Sequence, residues 1–156
     1  MNIFVTNKCP IKSAQYLDTK RVNKMILESA QILSTSMREC GYIGDDIYKS
    51  THKNHPSCIW ARSSRANYKW LLTHYRALAK EYYTRRGKWH KSYSQLNMRL
   101  SEGTKLIPKG KLTPFVNCAA RQDMNISYKH INDVHIAYKL YLDKRWENDK
   151  IKPVWS

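Results

Sequence analysis

Seven small or apolar residues, Val22, Met25, Ile26, Ser29, Ala30, Leu33 and Met37, recur at the i, i+3, i+4, i+7 spacing of a single helix face. A strand would scatter them over both of its sides, so this stretch commits the chain to helix-on-helix packing. The spacing predicts a long helix over residues 11–38, stopped by Gly41 and Gly44. A second helix is predicted to start at His55-Pro56-Ser57, where the missing N–H of Pro56 is harmless in the first turn. It carries Ile59, Trp60, Tyr68, Leu71, Leu72, Tyr75, Leu78, Ala79 and Tyr82 inward and ends at Arg86, before Gly87. A short helix over residues 93–100 follows. Gly103, Pro108, Gly110 and Pro114 then mark residues 101–125 as a long ordered loop, a kind of segment that often carries function. Asp133 is a good N-cap for a final helix through Val134, Ala137, Tyr138, Tyr141 and Leu142. Residues 2–5 are expected to be a short strand or an extended lead-in, and Trp155 is expected to dock on the core. The reading is mainly α: a compact single-domain helical bundle over residues 1–156, with a long ordered loop before the C-terminal helix.

Charge decides what such a bundle is for. The chain has 28 Lys and Arg against 12 Asp and Glu, a formal net charge of +16. Self-repulsion on that scale is usually kept for a polyanionic partner. The cations are interleaved with five Trp and eleven Tyr, and rings beside cations suit a partner with phosphates and exposed bases. Nucleic acid, most directly double-stranded DNA, is the expected partner. No membrane association or obligate protein partner is expected, because no apolar run approaches a membrane span. Cys9, Cys40, Cys58 and Cys118 form no CxxC pair, and the N-terminus lacks a signal peptide, so reduced thiols in a cytoplasm are expected.

Three groups of residues could carry chemistry. Lys20, Lys24 and Glu28 lie at i, i+4, i+8 and project from one side of the first helix. Leu17 and Leu27 flank them, so the helix has apolar residues on two sides, and Lys24 and Glu28 are expected in a cleft. A paired amine and carboxylate is what imine-forming DNA chemistry uses: the amine attacks the sugar carbon and the carboxylate manages protons. An ordinary solvated Lys/Glu pair has the same spacing. In the second group, His52, Lys53 and His55 sit just ahead of a helix N-terminus, followed by Arg62 and Arg65. Backbone N–H groups there can hold a phosphate. Helix capping by the same polar residues is the alternative, and Pro56 breaks the geometry that would align His52, His55 and Cys58 on a metal. No metal or cofactor is expected. The third group is Arg85, Arg86, Lys88, Trp89 and His90, near Tyr82 and Tyr83. It suits a sugar–phosphate track with a stacking ring and carries more cations than a helix dipole needs. Between Arg62 and Lys91 there are nine Lys or Arg and one acid, Glu81, the densest positive stretch of the chain. Lys20 and Arg21 extend the set of candidate DNA contacts.

At these residues the chain resembles the phage and bacterial pyrimidine-dimer DNA glycosylase/AP lyase family, of the phage endonuclease V kind. The likeness is carried by Gln15-Tyr16-Leu17-Asp18-Thr19-Lys20 in the first helix and by Lys53-Asn54-His55-Pro56 before the second. The basic aromatic stretch and a C-terminal helix with a Trp near the end complete it. The chain also resembles a group of phage proteins that begin in the Met-Asn-Ile-Phe manner. The resemblance implies a compact helical enzyme that flips out a nucleotide, cleaves its glycosidic bond through an imine and nicks the backbone by elimination, working in the host cytoplasm if phage-encoded. It also implies an N-terminal α-amine as nucleophile and a first-helix Glu as its partner. Asn2 disfavours removal of Met1, which makes Met1 the expected terminus. The register that aligns Gln15-Tyr16-Leu17 puts Asn23 at the family's Glu position, with Glu28 more than one turn further on. The expected catalytic set is therefore Glu28 as carboxylate, Lys24 or Met1 as nucleophile, and His55. A non-catalytic nucleic-acid-binding protein, or a nucleotide-modifying enzyme using His52 and His55, would share the same charge and aromatic content.

Overall fold

The computed structural model describes residues 1–156 and contains six α-helices and one two-stranded ribbon. The helices are α1 (Pro10–Gln15), α2 (Thr19–Glu39), α3 (Pro56–Ser63), α4 (Arg65–Arg86), α5 (Lys91–Glu102) and α6 (Val134–Asn148). Strands β1 (Ala120–Arg121) and β2 (Ile126–Ser127) pair antiparallel, with Ala120 opposite Ser127 and Arg121 opposite Ile126. The architecture is mainly α, as the apolar periodicity requires. No helix is long and apolar enough to cross a membrane, and all four cysteines are unpaired.

Two of the helices expected from the sequence are each divided. The stretch 11–38 breaks at Tyr16-Leu17-Asp18, because side chains distant in sequence take the groups a continuous helix would use. Arg85 donates to the Leu17 carbonyl at 2.8 Å. The Asp18 carboxylate accepts from Arg21 at 3.2 Å and from the Trp146 indole at 2.9 Å. The stretch 56–86 breaks at Ser64, which is extended and caps α4 by accepting from the Asn67 N–H at 3.1 Å. The loop before β1 lies against this junction, since the Arg65 N–H donates to the Pro108 carbonyl. Gly87 closes α4 in the left-handed conformation, φ +72°, with its N–H on the Tyr83 carbonyl. Residues 101–125 begin with the end of α5 and are then mostly irregular, apart from 3₁₀ turns at Gly103–Leu106 and Gln122–Met124 and the strand β1.

Helices α2 and α4 form the centre and run antiparallel, so that Arg85 near the end of α4 meets Thr19 at the start of α2. Helix α5 folds back on α4, tied by the Tyr68 hydroxyl to the Leu100 carbonyl and by the Tyr75 hydroxyl to the Ser92 carbonyl. One hydrophobic cluster of 31 buried residues extends from Ile3 to Leu142, so the first residues and the last helix share a core. Phe4 stacks on Tyr141 and meets the edge of Tyr138, which fixes the N-terminal segment under α6. That segment pairs in no sheet and is kinked by its own backbone, the Val5 N–H donating to the Ile3 carbonyl and the Thr6 N–H to the Phe4 carbonyl. Trp155 lies on the surface, about half exposed, donating to the Tyr16 carbonyl at 2.9 Å instead of entering the core. Leu27 is also exposed, so the second apolar side expected of the first helix is absent.

Candidate active site

The N-terminal residues are held by their own side chains and by the loop ahead of β1. Asn2 donates to the Cys118 carbonyl at 3.3 Å and accepts from the buried Tyr138 hydroxyl at 2.6 Å. Ser13 donates to the Phe4 carbonyl and accepts from the Thr6 N–H. With residues 2–6 fixed in this way, the α-amine of Met1 has little freedom. It sits 3.8 Å from Oε1 of Glu28, whose side chain is only 15% exposed. The other carboxylate oxygen, Oε2, faces the Lys24 ammonium at 3.7 Å, one helical turn back, while the Lys24 side chain is 66% exposed. Both separations are ion-pair contacts too long for a hydrogen bond, and Oε2 is buried without a donor. One carboxylate thus stands between two amines without being saturated by either.

His55 forms the next wall. It is the N-cap of α3, its Nδ1 accepting from the Ser57 N–H at 3.1 Å, which in the neutral ring puts the proton on Nε2. Burial, reinforced by the Met1 ammonium, His52 and Lys129, pushes its pKa below the ordinary histidine range. The ring is therefore neutral at neutral pH and offers a donor, not a charge. The far wall comes from Cys118, Ala120 and Arg121 and from Tyr141 and Arg145 of α6, enclosing about 320 Å³. Arg121 is engaged by Asp123 at 2.8 and 3.1 Å. Arg145 differs: it donates from Nη1 to the Tyr141 hydroxyl at 2.9 Å, but its buried Nε has no acceptor and it forms no ion pair.

Of the expected catalytic residues, Met1, Lys24, Glu28 and His55 all line this one pocket. Sequence reasoning missed Arg121, Tyr141 and Arg145. The Tyr141/Arg145 spacing of one turn was visible, but nothing local marks the face of α6 that carries it. The expected DNA-contacting residues divide into two sets. Arg21 is an interior tie, 3% exposed, donating to both Asp18 and Asp149. Arg85 is another, 6% exposed, bonded to the Leu17 carbonyl and paired with Glu81 at 3.5 Å. Arg65 spends its guanidinium on the Ile107 and Lys105 carbonyls, and Arg62 donates to the Lys53 carbonyl. His90 caps α5 by accepting from the Ser92 N–H, and Trp89 is already stacked on Tyr83 and on Tyr93 while remaining about half exposed. Lys20, His52, Lys53, Arg86 and Lys88 remain exposed. His52 bonds to the Thr51 hydroxyl, and no group of three or more His, Cys, Asp or Glu is placed to hold a metal ion. A further cavity of about 270 Å³ between α1 and α4 is bordered by Arg76, Lys80 and Glu81, and there the Glu81 carboxylate pairs with Arg85.

Comparison with known proteins places this geometry in context. A family model described as pyrimidine dimer DNA glycosylase matches residues 1–95, more than half of the chain. No curated protein and no solved structure matches. The matched span includes Met1, Lys24, Glu28 and His55 and stops before the loop and α6, which supply the far wall.

Proposed function

The chain belongs to the pyrimidine dimer DNA glycosylase family, and from that premise we propose that it acts on damaged or modified bases in duplex DNA by N-glycosylase/AP lyase chemistry, with the Met1 α-amine as nucleophile. The observation that carries the reading is the contact of the Met1 amine with a largely buried, unsaturated Glu28 carboxylate. As a class, α-amines are weaker bases than lysine side chains by roughly 2.5 pK units, so a larger fraction is unprotonated and nucleophilic at neutral pH. The Met1 amine is also held in the pocket, whereas Lys24 is two-thirds exposed on a flexible stem.

In this mechanism the amine lone pair attacks C1′ of the damaged nucleotide. The C1′–N bond breaks, and the base departs with its bonding pair and picks up a proton. Glu28 takes a proton from the attacking nitrogen, the sugar ring opens at O4′, and an iminium forms at C1′. Loss of a C2′ proton and expulsion of the 3′ phosphate then cut the strand, and water hydrolyses the imine to free the enzyme. Lys24 faces the Glu28 carboxylate from the next turn of α2, and the neutral His55 ring donates a hydrogen bond to the opened sugar. A protein that merely coats DNA would account for the charge. It would leave unexplained a buried carboxylate oxygen without a donor, which ordinarily destabilises a fold by about 1–3 kcal/mol.

Borohydride trapping on duplexes holding an abasic site or a pyrimidine dimer, followed by peptide mapping, tests the proposal. The adduct is expected on residue 1, to survive Lys24→Ala, and to vanish when the terminus is extended by a few residues. Mapping to Lys24, or no adduct from a DNA-binding preparation on either duplex, overturns it.

A further inference from the structure

Arg145 lines the pocket from a part of the chain that lies outside the family match. Arg145 is partly buried, and a guanidinium partly removed from water normally has a carboxylate or several carbonyls around it. Arg21, Arg65 and Arg85 all follow that rule here. Arg145 does not. Its only hydrogen bond is to a neutral phenol, its Nε is buried without an acceptor, and no acid lies within ion-pair distance. Its cationic plane lies against the Tyr141 ring, 5.7 Å from the centroid, which holds the fork in place without neutralising it. Across the same cavity stand the Met1 amine and Lys24, both cationic when protonated, with Glu28 as the one carboxylate among the lining residues. The pocket therefore carries excess positive charge and a guanidinium fork held at Nη1 by Tyr141, whose other terminal nitrogen, Nη2, bonds to nothing in the protein, and a planar fork of that kind suits a phosphate.

We propose that Arg145, oriented by Tyr141, is the receptor for a phosphate flanking the nucleotide whose C1′ faces the Met1 amine. At about 320 Å³ the cavity is at the small end of ligand pockets, which run from roughly 300 to 1,000 Å³. That size suits one sugar with one phosphate. The proposal rests on the glycosylase/lyase reading for which sugar is bound, and on the geometry of Arg145 for the phosphate.

The test uses the full chain and duplexes containing a tetrahydrofuran abasic analogue, which binds without reacting. One duplex has all natural phosphates; two others carry a single uncharged methylphosphonate on the 5′ or the 3′ side of the analogue. Wild type is expected to lose about 10- to 100-fold in affinity on one of the two methylphosphonate duplexes and to be indifferent to the other. The sensitive duplex identifies which flanking phosphate is held. Arg145→Gln should lose the same factor on the natural duplex and show no further loss on the sensitive one. Arg145→Lys, which keeps the charge and loses the fork, should fall between them. If Arg145→Gln weakens all three duplexes by the same factor, or none, the proposal is overturned. If that variant does not fold, the wild type still decides: equal affinity for all three duplexes overturns it. Borohydride trapping on a true abasic site separates the two readings. Wild type that traps DNA but ignores the methylphosphonates removes only the role of Arg145, and wild type that senses one methylphosphonate without trapping removes only the imine chemistry.

Discussion

The stretch from Arg62 to Lys91 and the pocket at Met1 are both cationic, and they use their charge in opposite ways. In the first, density is high and every arginine but Arg86 is spent on the protein, while Lys69, Lys80, Lys88 and Lys91 stay exposed. Arg62, Arg65, Arg76 and Arg85 give hydrogen bonds to protein carbonyls or side chains, Arg85 also pairs with Glu81, and the ring of Trp89 is stacked on Tyr83 and Tyr93. In the second there are fewer cations, yet Arg145 has no anionic partner and Glu28 Oε2 has no donor. A folded chain satisfies buried polar groups wherever it can. The unsatisfied ones, more than the most numerous ones, mark where a ligand is awaited.

That contrast is most exposed at Glu28. Replacing it with Gln should lower trapping and strand nicking by about 10²–10⁴-fold in single-turnover assays while leaving duplex affinity equal or tighter. Arg86→Gln with Lys88→Gln should leave the same single-turnover rate at saturating DNA within about twofold. A comparable rate loss in that double variant would erase the distinction between the regions.

His74 probes α4 as scaffold. It is fully buried, donates to or accepts from no charged group, contacts the Pro10 carbonyl at 3.0 Å, and burial pushes its pKa down to about 4. The unfolded chain takes up this proton first, near pH 6.5, so the stability of the neutral ring is complete above that pH and is lost as pH falls towards 4. The loss should be roughly 3 kcal/mol. Urea unfolding of wild type and His74→Gln between pH 7 and 4.5 should show a steeper decline in wild type; parallel curves would remove this contribution. Arg85→Ala should lower stability by about 2–3 kcal/mol at pH 7, because it strands the Leu17 carbonyl and leaves Glu81 unpaired. An unchanged urea midpoint would return Arg85 to the surface.

The smallest effects concern DNA binding by the exposed part of the basic stretch. Neutralising Arg86 and Lys88 together should flatten the slope of log K against log salt by about two units, roughly 0.9 for each phosphate contact released. Adding Arg85→Gln should not flatten it further. Trp89→Ala should weaken binding by less than about 1 kcal/mol, below the 1–3 kcal/mol typical of a base stacked on a free ring. A larger loss would show that the Tyr83–Trp89–Tyr93 stack opens to receive a base.

Local physics made much of this protein legible in the sequence. The inward stripe of α2, the Pro56 start of α3, Gly87 after α4 and Asp133 before α6 each rest on residues within a few positions of one another, and helix periodicity and capping act at that range. The Lys24/Glu28 pair was legible for the same reason, being one turn apart on one helix. Tertiary contacts decided the rest. The breaks at Asp18 and Ser64 depend on partners such as Trp146 and Lys111, which no local pattern links to them. Whether a cation is free depends on which carbonyl the fold brings to it: Arg85 and Arg145 look alike in sequence, yet one is bonded to Leu17 and the other has no anionic partner. The meeting of the Met1 amine with Glu28 likewise had to wait for Asn2 to be fastened to Cys118 and Tyr138, more than a hundred residues along the chain. Sequence sets which groups are available; burial and the competition for hydrogen-bond partners settle which of them are left to act.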